Sequence, residues 1–239
     1  MRKVVYIGYD PRELDAFLVA RHSLIRHSMF VDVRGLILRD MESYGHYSRK
    51  TSHINGKHYD HISNAPMSTE FALTRFLTCM LAKNEGADWA VFMDCDVLIR
   101  EDINRLFDLA DDKYAVMCVK HAANKHINGE KMDGQTQTDY PRKNWSSVML
   151  INCKHPSNEK LTTELINTAN GRDLHRFCWL EDHEIGGLPD SWNHLVGIDQ
   201  RADDADILHF TLGIPSMTGE QNKEADEWYQ ELLTTIRGA

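Results

Sequence analysis

The sequence predicts an α/β fold with a mostly parallel central sheet flanked by helices, on three observations. A short apolar run ending in glycine, Val4 to Gly8, is followed by a helix-spaced segment and then a β-like one. That strand–helix–strand order is the signature of a parallel sheet. A second apolar run, Trp89 to Met93, leads straight into acids, and in α/β sheets ligands gather at the carboxyl ends of strands. The chain has 239 residues, 42% hydrophobic and 26% charged, which is enough for one sizeable core and ordinary for a globular domain.

Each element follows from local chemistry. Asp10, Pro11 and Glu13 open the first helix with a cap, a first-turn proline and an acid at the positive end. Ala16, Phe17, Val19, Ala20, Leu24 and Ile25 then recur at helical spacing, and Val31 to Leu38 is β-like. Residues 40 to 67 are rich in His, Ser, Tyr, Asn and Gly and read as a long polar loop. Ser68 or Thr69 caps a helix that buries Phe71, Leu73, Phe76, Leu77, Met80 and Leu81 and ends at Gly86. After the acids come a short helix (Ile103 to Leu109), a strand (Tyr114 to Val119), a second polar stretch (121 to 144) and a strand (Val148 to Asn152). Leu161 to Ala169 is helical, and Trp179 to His194 is mixed and polar. Val196 to Ile198 and Ile207 to Phe210 read as short strands, and Glu224 to Ile236 as a terminal helix. With no repeat or linker in view, residues 1–239 read as a single domain.

Composition excludes some functions. With 27 basic and 36 acidic residues the formal net charge is −9, so nucleic-acid binding through clustered Lys and Arg is not expected. A local basic site for one phosphorylated small molecule is allowed. The five cysteines (Cys79, Cys95, Cys118, Cys153, Cys178) never form a CxxC pair and read as reduced, mostly buried thiols. No apolar run approaches the roughly 18 residues of a membrane span. The opening MRKVVYIGYDPRE lacks the apolar core of a signal peptide, so a cytoplasmic location is expected.

Asp94-Cys95-Asp96 is the sharpest local feature, set between two apolar runs. Charges there are costly unless compensated. Hard divalent cations favour carboxylate oxygens and often share substrate phosphates, so a metal bridging Asp94 and Asp96 to a diphosphate accounts for the placement. A solvated turn accounts for it without chemistry. The haloacid-dehalogenase phosphatases also place DxD after a strand, but near the start of the domain and with Thr or Val two residues on, where Leu98 stands here.

Four segments in order resemble the GT-A fold glycosyltransferases, nearest to family 8, the glycogenin and lipopolysaccharide galactosyltransferase type. They are the first strand with Tyr9 to Glu13, STEFALTRF (Ser68 to Phe76), FMDCDVLI, and Leu208 to Pro215. KNWSSVMLIN (Lys143 to Asn152) and GLPDSWN (Gly187 to Asn193) look like the same type. The resemblance implies transfer of a sugar from a nucleotide-sugar donor, a UDP-hexose, to the hydroxyl of a glycan, lipid-linked or small-molecule acceptor with retention.

It also implies residue roles. Asp94, Asp96 and His209 would hold Mn²⁺ or Mg²⁺, and an imidazole in the set favours Mn²⁺. Arg75 would reach donor phosphate or sugar oxygens, and Tyr9 and Asp10 the base and ribose. Ser146, Ser147 and Gly213 would frame the donor, with Trp145 over its sugar. Glu181 and Asp182, with Glu184 nearby, would stand beside the anomeric carbon, Asp182 as orienting group or nucleophile. The family commonly continues His-x-x-Gly-x-x-Lys-Pro-Trp, whereas FTLGIPSM follows His209 and lacks both Lys and Trp. Lys125, Arg142 or Lys143 would then neutralise the phosphate. That departure keeps a binding protein without turnover as an alternative, beside the phosphatase. In the polar loop, His46, His53, His58, His61 and Asp60 invite a second metal hypothesis through His58-x-x-His61. Arg49, Lys50 and His58 would meet phosphate if that loop closed over the donor.

Overall fold

Four apolar runs form the interior of the central sheet, buried along nearly their whole length. The computed structural model describes residues 1–54, 57–122, 142 and 144–237. β1 (Lys3–Gly8) leads to a 3-10 turn over Pro11–Glu13, capped by the Asp10 side chain on the Arg12 amide. α1 (Leu14–His27) buries Ala16, Val19, Ala20 and Leu24 at helical spacing. β2 (Asp32–Leu36) returns parallel to β1, and α2 (Leu38–Ser43) follows.

The expected loop of 40–67 contains a small antiparallel sheet of β3 (Thr51–Ile54), β4 (Lys57–Asp60) and β5 (Ala65–Met67). β3 and β4 are largely polar and β5 is only three residues long, which removes the usual period-two signal. Buried Arg49 ties this sheet to the rest of the domain. Its guanidinium pairs with buried Asp60 and donates to the Ile166 and Ala169 carbonyls at 2.7 and 2.8 Å. Arg49 is thus committed to structure rather than presented to a phosphate.

The single helix expected over 68–86 is α3 (Phe71–Thr74), a 3-10 turn (Arg75–Leu77) and α4 (Thr78–Asn84). β6 (Trp89–Met93), β7 (Val97–Ile99), α5 (Ile103–Phe107), β8 (Val116–Cys118) and β9 (Val148–Asn152) come next. Then follow α6 (Thr163–Thr168), α7 (Gly171–His175), β10 (Ile185–Gly187) and β11 (His194–Leu195). The strand expected at Val196 to Ile198 lies at β11 instead. β12 (Ile207–His209), α8 (Pro215–Thr218) and α9 (Lys223–Arg237) complete the order.

The central sheet has the order β10-β8-β9-β6-β1-β2. β2, β1 and β6 run parallel, as do β8 and β10, while β9 is antiparallel to both neighbours. The parallel pairing of Ile7 with Met93 brings the end of β1 beside Asp94. Phe71 packs over that end, where a Cβ on Gly8 would lie 2.5 Å from its ring. A second sheet, β11-β12-β7, pairs His209 with Val97, which carries the C-terminal part of the chain to the acid pair. Cys79, Cys95, Cys118 and Cys153 are buried free thiols, and Cys178 is an exposed one.

α9 docks on α1 through buried Trp228 and Glu231. Glu231 accepts from Arg26 Nη2 at 2.8 Å and sits 2.6 Å from His22 Nδ1. Burial pushes its pKa up, but Arg26 and His22 outweigh burial and the net shift is downward. A depressed folded pKa gives stability that is present above the unfolded value, roughly 4.3, and lost as pH falls through the folded one. Glu231→Ala is expected to cost about 2 kcal/mol at neutral pH. Urea unfolding across pH 7 to 3 should show the difference shrinking in acid.

Candidate active site

A cleft of about 770 Å³ opens where β1, β6 and β12 end, lined by Asp94, Asp96, Arg75 and His209 among others. One ligand atom from each of Asp94, Asp96 and His209 lies within 4.8 Å of the other two. Asp94 caps β6, with its amide on the Ser147 carbonyl at 2.8 Å. Asp96 precedes β7, and its carbonyl accepts from the Phe210 amide at 2.8 Å. This bond and the β7–β12 register place His209 Nε2 3.3 Å from Asp96 Oδ1.

A chain of hydrogen bonds assigns the His209 tautomer. Ser147 Oγ donates to the Asn144 carbonyl at 2.7 Å and accepts from Asn193 Nδ2 at 3.0 Å. Asn193 therefore turns Oδ1 to His209 Nδ1, at 2.8 Å. With Nδ1 protonated, the Nε2 lone pair faces the carboxylate. Two acceptors at that distance call for a positive charge between them, proton or cation. Burial lowers the His209 pKa, but Asp96 and then Asp94 raise it, and the net shift is upward. Two carboxylates and an imidazole whose Nε2 faces them are a donor set that fits a hard-to-borderline divalent cation. Asn193→Ala should weaken Mn²⁺ binding about 10–100-fold, read by cation titration, because it frees the ring to turn.

Acid crowds the same corner. Glu13 lines the cleft and accepts from buried Cys95 Sγ at 3.1 Å. Burial, then the Asp96 charge, push its pKa up to about 7. Arg75 offsets this charge from beneath. It is 5% exposed, forms an ion pair with Asp94 Oδ1 at 2.8 Å, and donates to the Ser146 and Ala72 carbonyls at 2.9 and 3.1 Å. Its guanidinium lies over Phe92 and Phe71, 5.1 and 5.4 Å from their centroids.

Ser146, Ser147 and Gly213 line the cleft with these residues. Ser146 Oγ pairs with His175 Nδ1 at 2.8 Å. Tyr9 and Asp10 are not among the lining residues. Tyr9 packs edge-on to Phe17, and buried Asp10 accepts from Arg12 and from the Glu70 amide at 3.0 Å. Glu181 and Asp182 are also not among them: they start an exposed 3-10 turn, and Asp182, 90% exposed, pairs with Arg142. Trp145 donates Nε1 to the His121 carbonyl at 3.0 Å. Lys125 and Lys143 lie outside the described residues. The described cationic residues on the cleft are Arg12, Arg75, Arg172 and Arg176. Glu13, Asn193 and the α7 residues Asp173 and His175 belong to the site but carry no single-residue signal. Asn193 was within reach through the GLPDSWN segment, whose last residue it is.

The sheet order and a cleft at the strand ends define a GT-A glycosyltransferase fold, and the comparisons agree. Along 97% of its length the chain superposes on the WbbM bifunctional glycosyltransferase with TM-score 0.62 and 15% identity, spanning 49%, about half, of that chain. It superposes on the galactosyltransferase LgtC, in complex with donor and acceptor sugar analogues, with TM-score 0.52 and 11% identity, covering 97% of this chain and 95% of that one. At such identities the likeness is one of fold. A family model, glycosyl transferase family 8, matches residues 22–210, and the chain belongs to that family. A curated relative, Protein CDI of Arabidopsis thaliana, is 42% identical over 235 residues, covering 95% of this chain and 85% of that protein. The chain is accordingly a glycosyltransferase rather than a phosphatase. Among its described residues no helix is long and apolar enough to cross a membrane.

Proposed function

We propose that the chain transfers a hexose from a UDP-sugar to an acceptor hydroxyl, with retention, using a divalent cation held by Asp94, Asp96 and His209. The observation that carries this reading is the convergence of those three ligand atoms within 4.8 Å at the floor of the cleft. A structural neighbour held with donor and acceptor sugar analogues supports the substrate class. The reduced thiols fit a cytoplasmic setting.

When bound, the cation would supply charge to stabilise the departing diphosphate. The protein supplies the rest. Arg75 fixes Asp94 and the Ser146 carbonyl, so the floor is organised before substrate arrives. Asn193 holds His209 with its lone pair forward. Ser146, Ser147 and Gly213 frame the donor. With no lysine after His209, the remaining phosphate charge falls to Arg12, Arg172 and Arg176. Glycans, lipid-linked sugars and small molecules are the acceptor classes to screen. No chemical step is assigned to Glu181, Asp182, Tyr9 or Asp10.

Calorimetric titration of UDP with and without Mn²⁺ tests the reading. Binding that needs Mn²⁺ is expected, followed by UDP release from a UDP-hexose. Failure of UDP and of other nucleoside diphosphates to bind in the presence of Mn²⁺ would sink it.

A further inference from the structure

The β3–β4 hairpin holds ligand chemistry that the cleft does not use. His53 and His58 are direct cross-strand partners. Their Nε2 atoms face each other at 3.2 Å. His58 is buried, while His53 is exposed. Glu70, just before α3, places Oε1 3.5 Å from His58 Nε2. The neighbours the sequence pairs with His58 are engaged elsewhere: His61 Nε2 contacts Ser52 Oγ at 2.9 Å, and Asp60 holds Arg49.

Two imidazole nitrogens so close admit two states. One ring donates its N–H to the other, or both lone pairs converge on a cation. Around tetrahedral zinc, with Zn–N of about 2.0–2.1 Å, neighbouring ligand nitrogens stand roughly 3.3–3.4 Å apart. The His53–His58 separation of 3.2 Å is close to that value. Burial, His53 and Arg12 all lower the His58 pKa, which favours the neutral, ligating form.

We propose that His53 and His58 form a second cation site, suited to a borderline metal such as Zn²⁺, Cu²⁺ or Ni²⁺, with Glu70 supplying compensating charge beside it. Imidazole pairs suit these ions, whereas the carboxylate-rich cleft suits Mn²⁺ or Mg²⁺. The two sites therefore differ in the metal they take. An ion here links β3 to β4 next to Ser68 and Thr69, which line the cleft. The proposal stands apart from the donor and cation assigned to the cleft.

Zn²⁺ titrated into the full chain tests it, in Asp96→Asn protein so that the cleft contributes less. His53→Gln is added to that background. His53 is exposed, and glutamine keeps an N–H donor toward His58 while giving up the imidazole ligand. The Asp96→Asn protein should bind Zn²⁺, with affinity falling more than about tenfold in Asp96→Asn/His53→Gln. Zn²⁺ should raise the melting midpoint of the first and not of the second. His53→Ala should behave as His53→Gln. Absence of Zn²⁺ binding in Asp96→Asn, or binding unmoved by either His53 substitution, means that the imidazoles only share a proton, and overturns the proposal. UDP binding with Mn²⁺ in the wild-type chain reads the cleft separately.

Discussion

Asp96→Asn should lower sugar transfer about 10³-fold, on the order of 4 kcal/mol of barrier, and abolish Mn²⁺-dependent UDP binding. The folded protein should not suffer. Asp96 stands with Asp94 and Glu13 at one corner of the cleft, and its charge helps push Glu13 up to about 7. Removing that charge relieves repulsion with Glu13 but also takes away the carboxylate that faces His209 Nε2 at 3.3 Å, so the cation-free variant should melt close to wild type. Transfer rates with UDP-hexoses and thermal melts without cation check both halves. A variant that retains transfer would remove Asp96 from the chemistry, and one that melts early would make the activity loss a folding loss.

Arg75→Met should unfold about 3–5 kcal/mol more easily, because it takes the buried guanidinium away from partly buried Asp94. In a chain of this size that lowers the melting point by roughly 6–20 °C. The Ser146 and Ala72 carbonyls lose their donor, and Phe71 and Phe92 lose a cation over their faces. Arg75→Lys should fall between, since one ammonium cannot serve Asp94 and both carbonyls. Urea unfolding of the three proteins orders them. A loss below about 1 kcal/mol for Arg75→Met would show that the charge pair adds nothing net.

Much of the fold was legible because burial writes itself into the chain. Val4 to Gly8, Trp89 to Met93 and Val148 to Asn152 are sheet interiors, and their apolar runs have no polar alternative. Other features left no such trace. β3 and β4 are largely polar and β5 is only three residues long, and the Arg49–Asp60 contact that ties the sheet down is one a periodicity cannot reveal. The break at Arg75–Leu77 splits what spacing reads as one helix. In the site, Asp94 and Asp96 were legible from the cost of charge in an apolar setting, and His209 through the family pattern. Asn193 and Glu13 act through partners distant in sequence, His209 and Cys95. Glu181 and Asp182, which the family pattern sets beside the anomeric carbon, stand at the start of an exposed 3-10 turn.

His209 lies 113 positions after Asp96. At about 5–20 residues per second of synthesis, the acid pair emerges roughly 6–23 s before its imidazole. Until β12 settles against β7, the nascent domain holds clustered carboxylates and no complete set of ligands. A cation that recognises only the finished arrangement favours that last docking by mass action. With the proposed cation bound there, its supply would become a term in the yield of folded enzyme, and starvation for the ion would appear as shortened protein lifetime as well as lost turnover.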